Sequence, residues 1–150
     1  MASADERARA AGITLNTTTT LPNLAPSIQI GNTIYTSGHV SIGYQGQLGA
    51  DLTIAEGKKA ARVCAKHLLQ SAYQAAGSLE HVRCVRLLGC VNSAPDFTEQ
   101  QRVIAGASEL VSNVLGKEEN CDHVCDALDN HVATVGFAVE IEGIFEIVGG

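Results

Sequence analysis

Two cysteines flank a histidine in the stretch NCDHVCDALD, residues 120–129, with three aspartates close by. Cys121, His123 and Cys125 are residue types that hold zinc or exchange electrons, and their alternate spacing puts them on one face of a strand. As a metal clip the set is one short of the four donors a structural zinc takes, unless Asp126, Asp129 or a neighbouring subunit completes it. A disulfide between Cys121 and Cys125 would close a very short loop. The expectation is therefore free thiols, no metal and no cofactor. A second pair, Ser37 and His39, is spaced to share a strand face. A serine nucleophile needs a base beside it and a group that orients that base, and the sequence places no acid to do so. This pair is expected to line a cleft. Glu140 and Glu142 alternate in the same way near the C-terminus, and the pattern by itself reads as a solvated strand face for both. His67, His81, His123 and His131 receive no role.

The elements that must position these residues are legible from periodicity. SIQIGNTIYTSGHV, residues 27–40, predicts two strands joined at Gly31 and Asn32, residue types that accept tight hairpin turns. Thr53, with Glu56 three residues on, predicts a helix start. Ala61, Cys64, Ala65, Leu68, Leu69, Ala72 and Ala76 follow at helical spacing, and Gly77 closes the helix. Lys58, Lys59, Arg62 and Lys66 fall mostly on the opposite, solvated face. HVRCVRLLGCVN, residues 81–92, predicts a strand in which Cys84 and Cys90 are core residues, as Cys64 is on its helix. A second helix is expected from Asp96, with the stripe Val103, Ile104, Ala107, Leu110, Val111 and Val114 and an end at Gly116. AVEIEGIFEIV, residues 138–148, alternates as a strand: Val139, Ile141, Phe145 and Ile147 on one face, Glu140, Glu142 and Glu146 on the other.

The order predicts two helices over one face of a sheet. Yet from Leu87 onward the strand at 81–92 is apolar on both faces, so something must cover the second one. A further subunit is the economical cover.

At 150 residues and 15.7 kDa, with 45% apolar and 17% charged residues, the chain is expected to form one domain, residues 1–150, whose first 21 residues are partly irregular. No apolar run approaches the ~20 residues that cross a bilayer, so no membrane partner is expected. Sixteen acids against ten Lys and Arg give a net charge of −6 without a basic stripe, which disfavours nucleic acid. Five cysteines and a polar start without an apolar h-region point to a reducing compartment. The expected location is the cytoplasm, with an organelle as the alternative.

Taken together, GNTIYTSGHV, DLTIAEGKKAAR, RLLGCVNSAPDFTEQ and AVEIEGIFE resemble the Rid/YjgF family of reactive-intermediate deaminases, also labelled L-PSP endoribonucleases; the resemblance covers roughly residues 22–148. It implies a chorismate-mutase-like α+β fold, a mixed sheet with two helices on one face, assembled as a homotrimer with small-molecule clefts between subunits. In the family's active deaminases an arginine grips the substrate carboxylate, and a glutamate positions the water that attacks an imine or enamine carbon. Matched residue by residue, the family's TSG falls on Thr36, Ser37 and Gly38, its usual next glutamine on His39, and its glutamate on Glu140. The tyrosine before the first strand falls at Leu24 and the cleft asparagine near Ala105. The arginine falls at Cys125, followed by Asp126 where the family has serine.

A thiol cannot replace the two parallel charge-assisted bonds of a guanidinium to a carboxylate. The expected function is thus a trimeric binder of a small metabolite through Ser37, Gly38, His39, Cys125 and Glu140, with 2-imino-acid deamination weakened or lost. The alternatives are an active hydrolase of imines or enamines that lack a carboxylate and, more weakly, a ribonuclease. A purely structural or partner-binding role is a fourth reading, because a fold hosts functions without specifying them.

Overall fold

The computed structural model describes residues 1–16, 23–116, 123–130 and 136–149. The strands are β1 (Ser27–Ile30), β2 (Thr33–Thr36), β3 (His39–Val40), β4 (Val82–Val91), β5 (Val124–Asp129) and β6 (Val139–Ile147); the helices are α1 (Ala4–Ala10), α2 (Ile54–Ala76) and α3 (Gln100–Leu115). They form one mixed sheet in the order β1-β2-β6-β4-β5, with β3 beside β6. Only β4 and β5 are paired in parallel; the other pairs are antiparallel.

The alternation of 138–148 becomes β6, with Val139, Ile141, Gly143 and Phe145 buried against the helices. In β4 the buried set is Val82 and Cys84, then Leu87, Gly89 and Val91. The phase changes because a bulge at Val85 inserts one residue between the Cys84 and Arg86 pairings with β6. From Leu87 onward one face therefore belongs to the core and the other, with Leu88 and Cys90, turns away from it. Cys90, expected in the core, stands half-buried on that second face.

The helices follow their stripes. Thr53 accepts the N–H of Glu56 and caps α2, and Gly77 ends it in the left-handed conformation. α3 begins four residues later than Asp96 suggested: Phe97 donates back to Ala94 in a turn, and Glu99, at the cap position, makes no side-chain cap. Its carboxylate pairs with Arg102 instead.

The N-terminal segment adds an element that periodicity did not reveal. Ser3 and Glu6 form a reciprocal capping box that starts α1. Ala4 and Ala8 are buried, and Ile13 and Leu15 behind them join the core. Asp5 accepts bonds from the Leu79 N–H at 2.7 Å and the Ser78 hydroxyl at 2.8 Å, while Arg7 Nε donates to the Val114 carbonyl at 2.8 Å. This third helix docks on α3, within the helical layer, and among the described residues no element covers the other sheet face.

That bare face carries an apolar row set by register: Ile28 pairs with Tyr35, Tyr35 with Ile144, Ile144 with Arg86, and Arg86 with Val124. Ile28, Ile30, Tyr35, Val124 and Leu128 are between 42% and 64% exposed, a larger apolar surface than scattered residues give. Among the described residues no helix is long and apolar enough to cross a membrane.

The two long helices touch backbone to backbone at Gly106. A Cβ there would lie 2.4 Å from the Lys58 carbonyl oxygen and 3.0 Å from the Lys58 Cα, neither of which can swing aside. Alanine would gain ~1 kcal/mol of helix propensity over glycine but forces the helices apart. Gly106→Ala is expected to cost ~1–3 kcal/mol net, read as a melting temperature about 3–10 °C lower at this chain length.

Candidate functional site

The site grows from a break in the sheet. β2 leaves β6 after Tyr35, and the chain regains β6 only at His39 and Val40, which face Ile141 and Glu140. In the gap the Gly143 N–H is satisfied by the Thr36 hydroxyl at 2.8 Å, a side chain standing in for the missing ladder bond. Ser37 is fixed to the segment before β1: its N–H donates to the Pro26 carbonyl and its hydroxyl to that of Ala25. Ser37 and His39 therefore do not share a face, because the strand does not run continuously through them.

His39 points inward, only 2% exposed. Its Nδ1 lies 2.7 Å from the Ser37 carbonyl, an acceptor, so Nδ1 carries the proton and Nε2 accepts from the Ser71 hydroxyl at 2.8 Å. The arrangement resembles a serine–histidine dyad in outline, but both partners are buried, His39 beneath α2 and Ser71 on its inner face. It is a strut between the sheet break and the helix.

Glu140 faces the other way. With Gly38, Leu88, Cys90 and Glu142 it lines a cavity of about 220 Å³ on the bare face of the sheet. A second hollow of about 120 Å³, lined by Tyr35, Thr36, Arg86, Leu88, Glu142, Gly143 and Ile144, shares Leu88 and Glu142 with it. A carboxylate beside an apolar floor can hold and deprotonate a water. The guanidinium in the second hollow is already engaged, since Arg86 pairs with Asp126 across the strands. Asp126 thus neutralises the arginine that lines the adjoining hollow.

Cys125 lies elsewhere. Its β4 partner is the buried Leu87, so the thiol faces the helices and packs on the edge of the core. Burial first, and the charge of Asp126 second, push its pKa up, which keeps it a neutral thiol and disfavours a thiolate nucleophile or metal ligand. His123, on the same side, bonds through Nε2 to the Ser108 hydroxyl of α3. Cys121 lies outside the described residues, so the three-residue clip is not described as a set. Among the described residues no group of three metal-ligating side chains comes together. Leu24 is exposed ahead of β1, and Ala105 stands on α3.

The structure brings Gly38 and Glu140 together in one cavity with Leu88 and Cys90, which sequence reasoning did not name beside them. The cross-strand register that joins Cys90 to Glu140 is the signal that would have found them. Burial, then the charges of Glu140 and Glu142, raise the Cys90 pKa, so that thiol reports the acidity of the cavity.

The strut has a consequence for acid stability. Desolvation lowers the His39 pKa below its ordinary 6.5, against an opposing backbone bond to Ser37 and with a smaller repulsion from His67. Below about pH 6.5 the unfolded chain takes up a proton that the folded chain refuses. Stability is therefore complete above that pH and falls as pH drops toward the folded pKa, by at most about 1.4 kcal/mol per pH unit. His39→Gln, which can still bond Ser71 and the Ser37 carbonyl, is expected to flatten the fall in melting temperature between pH 7 and pH 5. Parallel slopes for the two proteins would show that His39 does not carry the effect.

Known proteins supply the remaining frame. The sequence pattern of the family described as YjgF/chorismate mutase-like, a presumptive endoribonuclease, matches residues 5–135. The fold is similar to that of Atu1372 from Agrobacterium tumefaciens, a protein of unknown function, with 33% identity, a TM-score of 0.86 and coverage of 97% of this chain and 92% of that one. It is also similar to a presumptive endoribonuclease from Shewanella oneidensis MR-1, with 28% identity, a TM-score of 0.88 and coverage of 97% and 100%. Protein TCP17 of Trypanosoma cruzi is 43% identical over 103 residues, which are 68% of this chain and 64% of that protein. The two-layer sheet, the TSG at its break, the glutamate facing it and the matched pattern agree: the chain belongs to the Rid/YjgF family, with its chorismate-mutase-like fold.

Proposed function

We propose that this chain is a trimeric Rid/YjgF protein that binds a small metabolite in clefts between subunits, with 2-imino-acid deamination weakened or lost. The observation that supports the reading is Cys125: a neutral, half-buried thiol stands where the family resemblance puts the carboxylate-gripping arginine. Arg86 does not replace it, because Asp126 already takes its charge.

Two features support assembly. The bare sheet face needs a cover that α1 does not provide. In addition, Cys125 pairs with Leu87 and Glu140 with Cys90, on opposite faces of the sheet. Three residues along the strands and two strand spacings across them separate these positions by roughly 14 Å. A cleft that uses both must therefore draw them from two subunits.

The chemistry retained is water addition to a carbon–nitrogen double bond. Glu140 takes a proton from water as the oxygen attacks carbon, the proton passes to nitrogen, and collapse of the adduct releases ammonia and leaves a carbonyl. Leu88 and Cys90 beside Glu140 also favour a second reading, an imine or enamine without a carboxylate, for which no cationic anchor is needed. The proposed location is the cytoplasm, in keeping with reduced thiols at Cys64, Cys90 and Cys125.

Light scattering of the purified protein is expected to give three times 15.7 kDa. A stable monomer at micromolar concentration would leave the bare face unexplained and defeat the assembly. For chemistry, a lost bidentate contact is worth roughly 2–4 kcal/mol, so kcat/KM on 2-imino acids made in situ by an amino-acid oxidase should lie about 30- to 1,000-fold below that of an arginine-bearing relative. Cys125→Arg is expected to recover part of this, and Glu140→Gln to abolish what remains. Wild-type turnover equal to that relative's would overturn the weakened site.

A further inference from the structure

Gly38 has an unremarkable backbone. Its φ is not positive, so it does not sit in the left-handed region that favours glycine. Turn geometry therefore does not explain a glycine there. Space does: a Cβ at this position would lie 2.9 Å from Glu140 Oε1, 3.0 Å from Cδ and 3.1 Å from Cγ. All three nearest atoms belong to one side chain, the carboxylate arm that lines the cavity.

The backbone around Gly38 has little room to yield. Ser37 is tied to Pro26 and Ala25, its carbonyl receives the His39 imidazole, and His39 pairs with Ile141. On the other side Thr36 holds Gly143. A side chain at 38 must therefore displace Glu140 and cannot displace the strand. We propose that Gly38 is a positioning residue: its missing side chain is the seat in which the Glu140 carboxylate lies across the break between β2 and β3. The functional part of this rests on Glu140 being the water-handling group of the proposed reaction.

The direction of displacement follows from the topology. Gly38 flanks β6 on the β2–β3 side and Cys90 flanks it on the β4 side. A methyl group at 38 pushes the carboxylate across β6, toward Cys90. That thiol is a built-in reporter, since Glu140 already raises its pKa after burial has done so.

The experiment compares the intact wild-type protein with Gly38→Ala and Glu140→Gln by three readouts. These are melting temperature, the Cys90 titration followed by NMR of ¹³C-labelled cysteine, and kcat and KM on the imine generated from L-leucine by an amino-acid oxidase. Gly38→Ala is expected to melt within a few degrees of wild type, because a flexible arm yields cheaply. Its Cys90 titration should move up, whereas Glu140→Gln moves it down. Its kcat should fall about 10- to 100-fold with KM nearly unchanged, the cost of a misplaced base. A Cys90 titration unmoved by Gly38→Ala overturns the seat, whatever the activity. An unmoved kcat in a protein whose Cys90 does shift overturns its part in catalysis. Absent turnover in the wild type would mean that 2-imino-acid deamination is lost outright and would overturn the catalytic part of the proposal, while the Cys90 comparison still decides the seat.

Discussion

Everything in this molecule depends on β6 being bonded along both edges while its two faces meet different worlds. β4 runs along one side and β2, then β3, along the other. Its odd-numbered positions from Val139 to Phe145 enter the core, and Glu140 and Glu142 are thereby forced out on the opposite face. A side-chain period of two leaves no freedom in this. Chemistry on the outer face is thus a consequence of packing on the inner one. The carboxylates need no special device to reach the surface; they need only the hydrophobic residues between them to stay buried.

The same constraint separates the residues that family resemblance would gather into one pocket. Glu140 and Gly38 belong to the bare face, while Cys125 and His123 belong to the helix side. His39 is turned inward, where a glutamine could make similar bonds, so its departure from the family's usual residue changes acid stability more directly than it changes a cleft. Ser37 and His39, expected to line a cleft together, are parted: His39 braces the sheet break against Ser71, and Cys90, expected in the core, reports on the acidic cavity.

Much of the fold was legible because long stripes declare themselves. The apolar positions of α2, α3 and β6 recur often enough to fix both element and face. α1 escaped because seven residues with two buried alanines leave almost no period to read. The site was harder for a different reason: side-chain direction accumulates along a strand, and one irregularity reverses it. The interruption at Ser37 and Gly38 parts His39 from its expected neighbour, and the bulge at Val85 resets β4. Whether Cys125 shares a face with Glu140 depends on the pairing of three strands, β5, β4 and β6, which no single segment encodes.

The clasp made by α1 also has a meaning for the order in which the chain takes shape. Asp5 and Arg7 bond to residues 79 and 114, so this segment finds its partners only once the chain as far as α3 has been made. A helix of seven residues is too short to persist alone, since nucleation costs more than so few bonds return. α1 therefore settles only when α3 is there to receive it. Until it does, Leu79 and the far end of α3 are without their N-terminal cover.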